Sequence, residues 1–187
     1  KDIDCDCVLV DNQKAAEDAV RKLLEAGHKK IGMIAGSKEV FTADERLKGY
    51  RRAMEQAGVE ISEELIVHSD YTIAGGAASV RKLVKLNPDI SAVFVSNYEM
   101  TMGAIIELNE LNILIPDQLS FIGFDNVEFA RACVPKLSIV TQPTKEIARH
   151  VSELMLQRLE GYQKEDNSIT IKLQTSFVEG RSIKRKE

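Results

Sequence analysis

The strongest constraint in this sequence is its rhythm. Short runs of β-branched and apolar residues alternate with longer segments whose apolar residues recur at three- and four-residue spacing. Parallel strands need a crossover between them, so this alternation is the pattern of an α/β unit with an open parallel sheet flanked by helices. Strands are predicted at Cys7–Val10, Ile31–Ala35, Leu65–His68, Ala92–Val95, Leu119–Phe124 and Leu137–Val140, with a final extended stretch from Ile169 to Val178. The first helix gathers Ala16, Ala19, Val20, Leu23 and Leu24 on one face and stops at Gly27, where a residue without Cβ adopts the left-handed cap. The second, around Leu47, Tyr50 and Met54, stops at Gly58 for the same reason, and the third, through Ala77, Val80, Leu83 and Val84, ends before Asn87-Pro88. A fourth carries Met102, Ile105, Ile106 and Leu108. Only about a dozen residues then separate Phe124 from the next strand, too few for the usual helical crossover. A long amphipathic helix follows from about Lys145 to Leu159, with Ile147, Val151, Leu154, Met155 and Leu159 in one stripe.

Composition narrows the function. With 187 residues, 44% hydrophobic and 29% charged, the chain has the proportions of one globular unit. Its net charge of −4 has the wrong sign for gripping a polyphosphate, so any nucleic-acid contact is expected outside this chain. No apolar run approaches the roughly 20 residues of a membrane span, and Lys1 opens no secretory segment, which favours a cytoplasmic location and no membrane contact. Three cysteines make no disulfide framework. Cys5 and Cys7 form a C-x-C pair with no partner pair at a zinc spacing, so no metal is expected. His28, His68 and His150 lie far apart and read as structural. The segment Ile34–Glu39 holds neither G-x-G-x-x-G nor the Walker spacing, and no G-x-S-x-G elbow occurs. The chain therefore reads as no enzyme and as needing no cofactor.

Ligands of open parallel sheets bind beyond the carboxyl ends of the strands. Here those positions are polar: Asp11-Asn12, Gly36-Ser37, Ser69-Asp70-Tyr71, Ser96-Asn97-Tyr98, Asp125-Asn126 and Thr141-Gln142. Carboxylates, amides and hydroxyls beside aromatic faces suit a ligand rich in hydroxyls, because each hydroxyl both donates and accepts and must be satisfied when buried. The competing reading, that these side chains merely cap the helices that follow, accounts for about half of them.

Four collinear segments extend this reading. Gly27–Gly36 (GHKKIGMIAG), Arg46–Met54 (RLKGYRRAM), Ile115–Asn126 (IPDQLSFIGFDN) and Pro135–Pro143 (PKLSIVTQP) resemble the effector-binding core of LacI/GalR-type bacterial transcription regulators. The resemblance implies one lobe of a two-lobed periplasmic-binding-protein-like domain, with the effector between the lobes and three crossover segments joining them. It implies that residues 1–136 belong to the carboxyl-side lobe, that a crossover strand and helix at 137–162 belong to the amino-side lobe, and that 163–187 return. Most of the amino-side lobe and the helix-turn-helix headpiece would precede Lys1. By position, Arg46 matches the family's effector-contacting arginine and Asp125 its ligand-contacting aspartate. Tyr71 takes the place of the aromatic platform, Asn97 that of an amide on the sugar, and Asn126 lies beside Asp125. The implied partners are a small effector, expected to be a sugar, a second copy in a homodimer, and operator DNA through the headpiece; the same residues also leave open a periplasmic sugar-binding protein of a transporter, or a regulator signalled by a partner protein. Two departures matter. Asn97 is followed by Tyr98 where the family commonly has Asp, and Val40 stands where purine-responsive members carry a basic side chain.

Overall fold

The computed structural model describes residues 5–161 and 168–186. In chain order they form β1 (Cys7–Val10), α1 (Asn12–Glu25), β2 (Ile31–Ala35), α2 (Phe41–Gln56), a 3-10 turn (Glu63–Leu65), β3 (Ile66–His68), α3 (Ile73–Leu86), β4 (Ala92–Val95) and α4 (Tyr98–Glu110). Then come β5 (Ser120–Phe124), α5 (Val127–Ala132), β6 (Ser138–Thr141), α6 (Thr144–Leu159), β7 (Thr170–Leu173) and β8 (Ser176–Val178). One sheet runs β3-β2-β4-β5-β6-β8, parallel except for β8, and the fold class is the α/β arrangement expected.

The period of two along each strand divides the core. Met33, Ala35, Phe94, Ile122 and Phe124 face α1 and α2, whereas Ile34, Val93, Val95, Phe121 and Ile139 face the side of α3 and α4. Glycine lets the helices approach: an added methyl at Gly49 of α2 would collide with the Gln13 carbonyl of α1, and one at Gly103 of α4 with the Ile73 carbonyl of α3. Gly27 and Gly58, at φ 89° and 64°, follow the C-caps of α1 and α2 as expected.

Three features differ from the sequence reading. The gap after Phe124 holds a short helix, α5, of 6 residues. The stretch from Ile169 to Val178 is two strands: β7 pairs with β1 in a separate two-stranded sheet, and β8 joins the large sheet antiparallel to β6. Consequently β1 does not lie with the rest of residues 1–136, and β6 lies in the large sheet rather than with α6, which packs on β1 and β7. Asp6 ties this unit together beside the β1–β7 ladder, accepting from Arg158 of α6 at 2.7 and 2.8 Å and from the Ile169 amide at 2.8 Å. The start of the expected return, residues 163–167, lies outside the described residues. The apolar stripe on α6 is largely uncovered, with Leu154 its one buried member.

Candidate functional site

Between β2 and β4 the strand order reverses, since β3 lies on one side of β2 and β4 on the other. Ligands of open sheets bind at such a switch point, beyond the carboxyl ends of the strands, and Arg46 reaches that end of the sheet from α2. The α2 face that carries Ala43, Tyr50, Ala53 and Met54 to the sheet also carries Arg46, which is only 6% exposed. Its guanidinium lies over the Phe124 ring with Cζ 3.8 Å from the centroid. Nε donates to Asn12 Oδ1 at 2.8 Å and Nη1 to the Ser96 carbonyl at 2.5 Å. A guanidinium has five N–H groups, and these two bonds use two of them. Burial draws its pKa down, opposed by the nearby Asp125 and Tyr71. It stays charged, because the ordinary arginine value lies far above neutrality.

Asp125 follows β5 in a left-handed conformation, φ 60°. Burial raises its pKa, while bonds from Gln142 and the charge of Arg46 oppose the shift. Gln142, just past β6, gives it Nε2–H at 2.8 Å and the backbone N–H at 3.3 Å. Tyr71, also left-handed at φ 66°, lays its ring tip on Gly36, and its hydroxyl is buried without a hydrogen-bond partner.

The two remaining residues divide their chemistry. Asn97 caps α4 by accepting from the Met100 amide at 3.0 Å, and Asn126, at φ 53°, caps α5 by accepting from Phe129 at 2.9 Å. Each keeps an NH₂ for other partners. Tyr98 packs edge-on to Phe129, with centroids 6.0 Å apart, and Val40 stands at the head of α2, 38% exposed. The structure thus gathers Arg46, Asp125 and Tyr71 closely, with Asn97 and Asn126 at the same end of the sheet. Sequence reasoning assigned no site role to Asn12, Ser96 and Gln142. All three stood in the polar strand-end pairs, where a capping residue and a residue bonded to a binding group look alike.

A buried guanidinium stacked on an aromatic ring, a partly buried carboxylate beside it and amide groups around them suit a neutral ligand with several hydroxyls. The carboxylate works against a bare anion there. Cys5 and Cys7 lie with Sγ atoms 3.8 Å apart. Among the described residues no group of three or more His, Cys, Asp or Glu side chains could hold a metal ion, and no helix is long and apolar enough to cross a membrane.

Residues 20–183 match the family described as periplasmic binding protein-like domain. The transcriptional repressor CytR of Escherichia coli K12 is 36% identical over 154 residues, 82% of this chain and 45% of the repressor. The chain thus spans about half the length of the curated relatives it matches. Among solved structures, a CelR–cellobiose complex superposes with a TM-score of 0.90 at 31% identity, covering 95% of this chain and 54% of that one. A sugar-binding LacI-family regulator from Escherichia coli, complexed with phosphate, superposes with a TM-score of 0.83 at 32% identity over 96% of this chain and 63% of its own. All three similar proteins are transcriptional regulators.

Proposed function

Because the chain belongs to the periplasmic-binding-protein-like domain family, as LacI-type regulators do, we propose that it is most of the carboxyl-side lobe of an effector-sensing domain. The domain holds a small sugar between two lobes and so alters the grip of a cytoplasmic, homodimeric regulator on operator DNA. DNA is held by a helix-turn-helix outside this chain. The observation that carries the reading is Arg46, buried on Phe124 with donors to spare beside Asp125. On this reading Arg46, Asp125, Tyr71, Asn97 and Asn126 contact the effector. The unit of β1, α6 and β7 is then a portion of the amino-side lobe, and the chain crosses between lobes near Asp11, Gln142-Pro143 and Gln174-Thr175. A sugar switches the protein only by favouring one lobe arrangement over the other.

The test is calorimetry of the full-length protein with pentoses, hexoses and cellobiose, followed by the best ligand against Arg46→Ala. Loss of a charge-assisted hydrogen bond costs about 1.5–3 kcal/mol, so affinity should fall roughly 10- to 150-fold. Unchanged binding removes Arg46 from the site. Sugar binding with no effect on operator affinity points instead to a transport-linked binding protein.

A further inference from the structure

Asn12 is the first residue of α1, yet its side chain turns inward and is 3% exposed. A buried amide must place both its ends. Asn12 Nδ2 donates to the Val10 carbonyl at 3.1 Å, and Oδ1 accepts from Arg46 Nε at 2.8 Å. Val10 ends β1, which belongs to the small sheet, whereas α1 and α2 pack on the large one. One amide therefore joins the backbone of a segment running between the two sheets to the guanidinium at the centre of the site. Together with the Ser96 carbonyl on Nη1 it fixes the plane of Arg46. A matching link occurs at the next passage between the sheets, where Gln142, between β6 and α6, holds Asp125.

We propose that Asn12 is a positioning residue for Arg46, setting the guanidinium for the effector according to where β1 leaves the small sheet. This rests on the sugar-sensing reading for its consequence but not for its geometry. The test therefore has two readouts on full-length protein labelled with 15N-arginine. The first is the Nε–H resonance of Arg46, assigned by its loss in Arg46→Lys, and it needs no ligand. The second is the affinity for cellobiose or ribose, whichever the wild type binds.

In Asn12→Ala, the Arg46 Nε–H should lose its protection from solvent exchange and sugar affinity should fall about tenfold or more, with circular dichroism unchanged. In Asn12→Asp, which keeps an oxygen for Nε but cannot donate to the Val10 carbonyl, the resonance should stay protected and move downfield, while only part of the affinity should return. If Asn12→Ala does not fold, the Asn12→Asp shift alone decides. An Arg46 resonance indifferent to both substitutions overturns the proposal, as does full sugar affinity in Asn12→Ala. If the wild type binds neither sugar, the sugar reading fails at that point while the resonance still tests the role of Asn12.

Discussion

Tyr71 and Gly36 show how narrowly single residues shape the site. A methyl group at Gly36 would occupy the space of the Tyr71 ring tip, and that ring, standing on the loop before α3, can swing away more easily than a strand can move. Gly36→Ala is therefore expected to leave the melting temperature nearly unchanged while weakening sugar binding several-fold. Calorimetry beside a thermal melt checks both, and a large loss of stability with intact binding contradicts it. His28 acts at the opposite end of the sheet, bonded to Ser91 Oγ at 3.0 Å and to the Lys184 carbonyl at 2.9 Å. Burial lowers its pKa, the Lys184 bond opposes this, and the Lys186 charge adds to it. With the folded value depressed, the unfolded chain takes up the proton first. The stabilisation is full above about pH 6.5 and declines as pH falls through the folded value. His28→Gln should thus flatten the fall in melting temperature between about pH 7.5 and 5, as scanning calorimetry would record. That Arg46 and Asp125 lie near each other could be expected from sequence, because each sits in a run of residues that the family resemblance picks out. The roles of Asn12 and Gln142 could not, because their importance lies in what they touch across more than a dozen intervening residues.

Among the elements, the large sheet could be read almost strand by strand, since each buried run is bounded by a turn or a helix stop. The second sheet could not. Alternation of apolar and polar residues continues from Ile169 to Val178 with no Gly or Pro at Gln174-Thr175, so nothing local marks the passage between sheets. Likewise a strand pattern at Cys7–Val10 does not name its partner. Besides the β1–β7 ladder, Asp6 joins this unit to α6, its carboxyl held at about 2 by the Arg158 hydrogen bonds and the Ile169 amide. Its contribution is present above the ordinary carboxylate value and is lost as pH falls through about 2. Asp6→Asn should speed amide exchange in Thr170–Leu173 at neutral pH while leaving β2, β4 and β5 protected. On α6 the stripe members Val151, Met155 and Leu159 are 44%, 61% and 76% exposed in this chain, and the neighbouring Leu156 is 55% exposed. Each side chain of this kind left in water forgoes roughly 1.5–3 kcal/mol, which favours self-association of the 187-residue chain. Leu154 is buried at 8% exposure, so Met155→Lys and Leu159→Lys are the informative substitutions. Sedimentation should show an oligomer that both shift towards monomer, and a monomer at high concentration would contradict the expectation.

At the scale of the whole molecule, a net charge of −4 and the hydrogen-bonding groups around Arg46 fit the proposed sensing role better than a grip on DNA. The proposed homodimer needs a second surface, away from α6, and the structure offers a candidate. Ile106, Leu114 and Val134, exposed at 47%, 61% and 98%, rim a groove of about 450 Å³ between α4 and the segment after α5, floored by Ile105, Ile113 and Phe129. In a two-fold interface every residue acts twice. A charge replacing one such side chain then removes roughly 3–6 kcal/mol of association, which is at least a hundredfold in the dimer constant. Val134→Lys in the full-length protein is the cleanest choice, because a side chain this exposed contributes little to the fold of its own subunit. Sedimentation should give a monomer where the wild type is a dimer. Sugar affinity per subunit should stay within about threefold, since Val134 lies outside the site. Operator binding should collapse, because two half-sites are read only by two linked headpieces. A Val134→Lys protein that remains dimeric places the dimer contact elsewhere. One that dissociates yet retains full operator affinity breaks the link between pairing and DNA recognition on which the proposed switch depends.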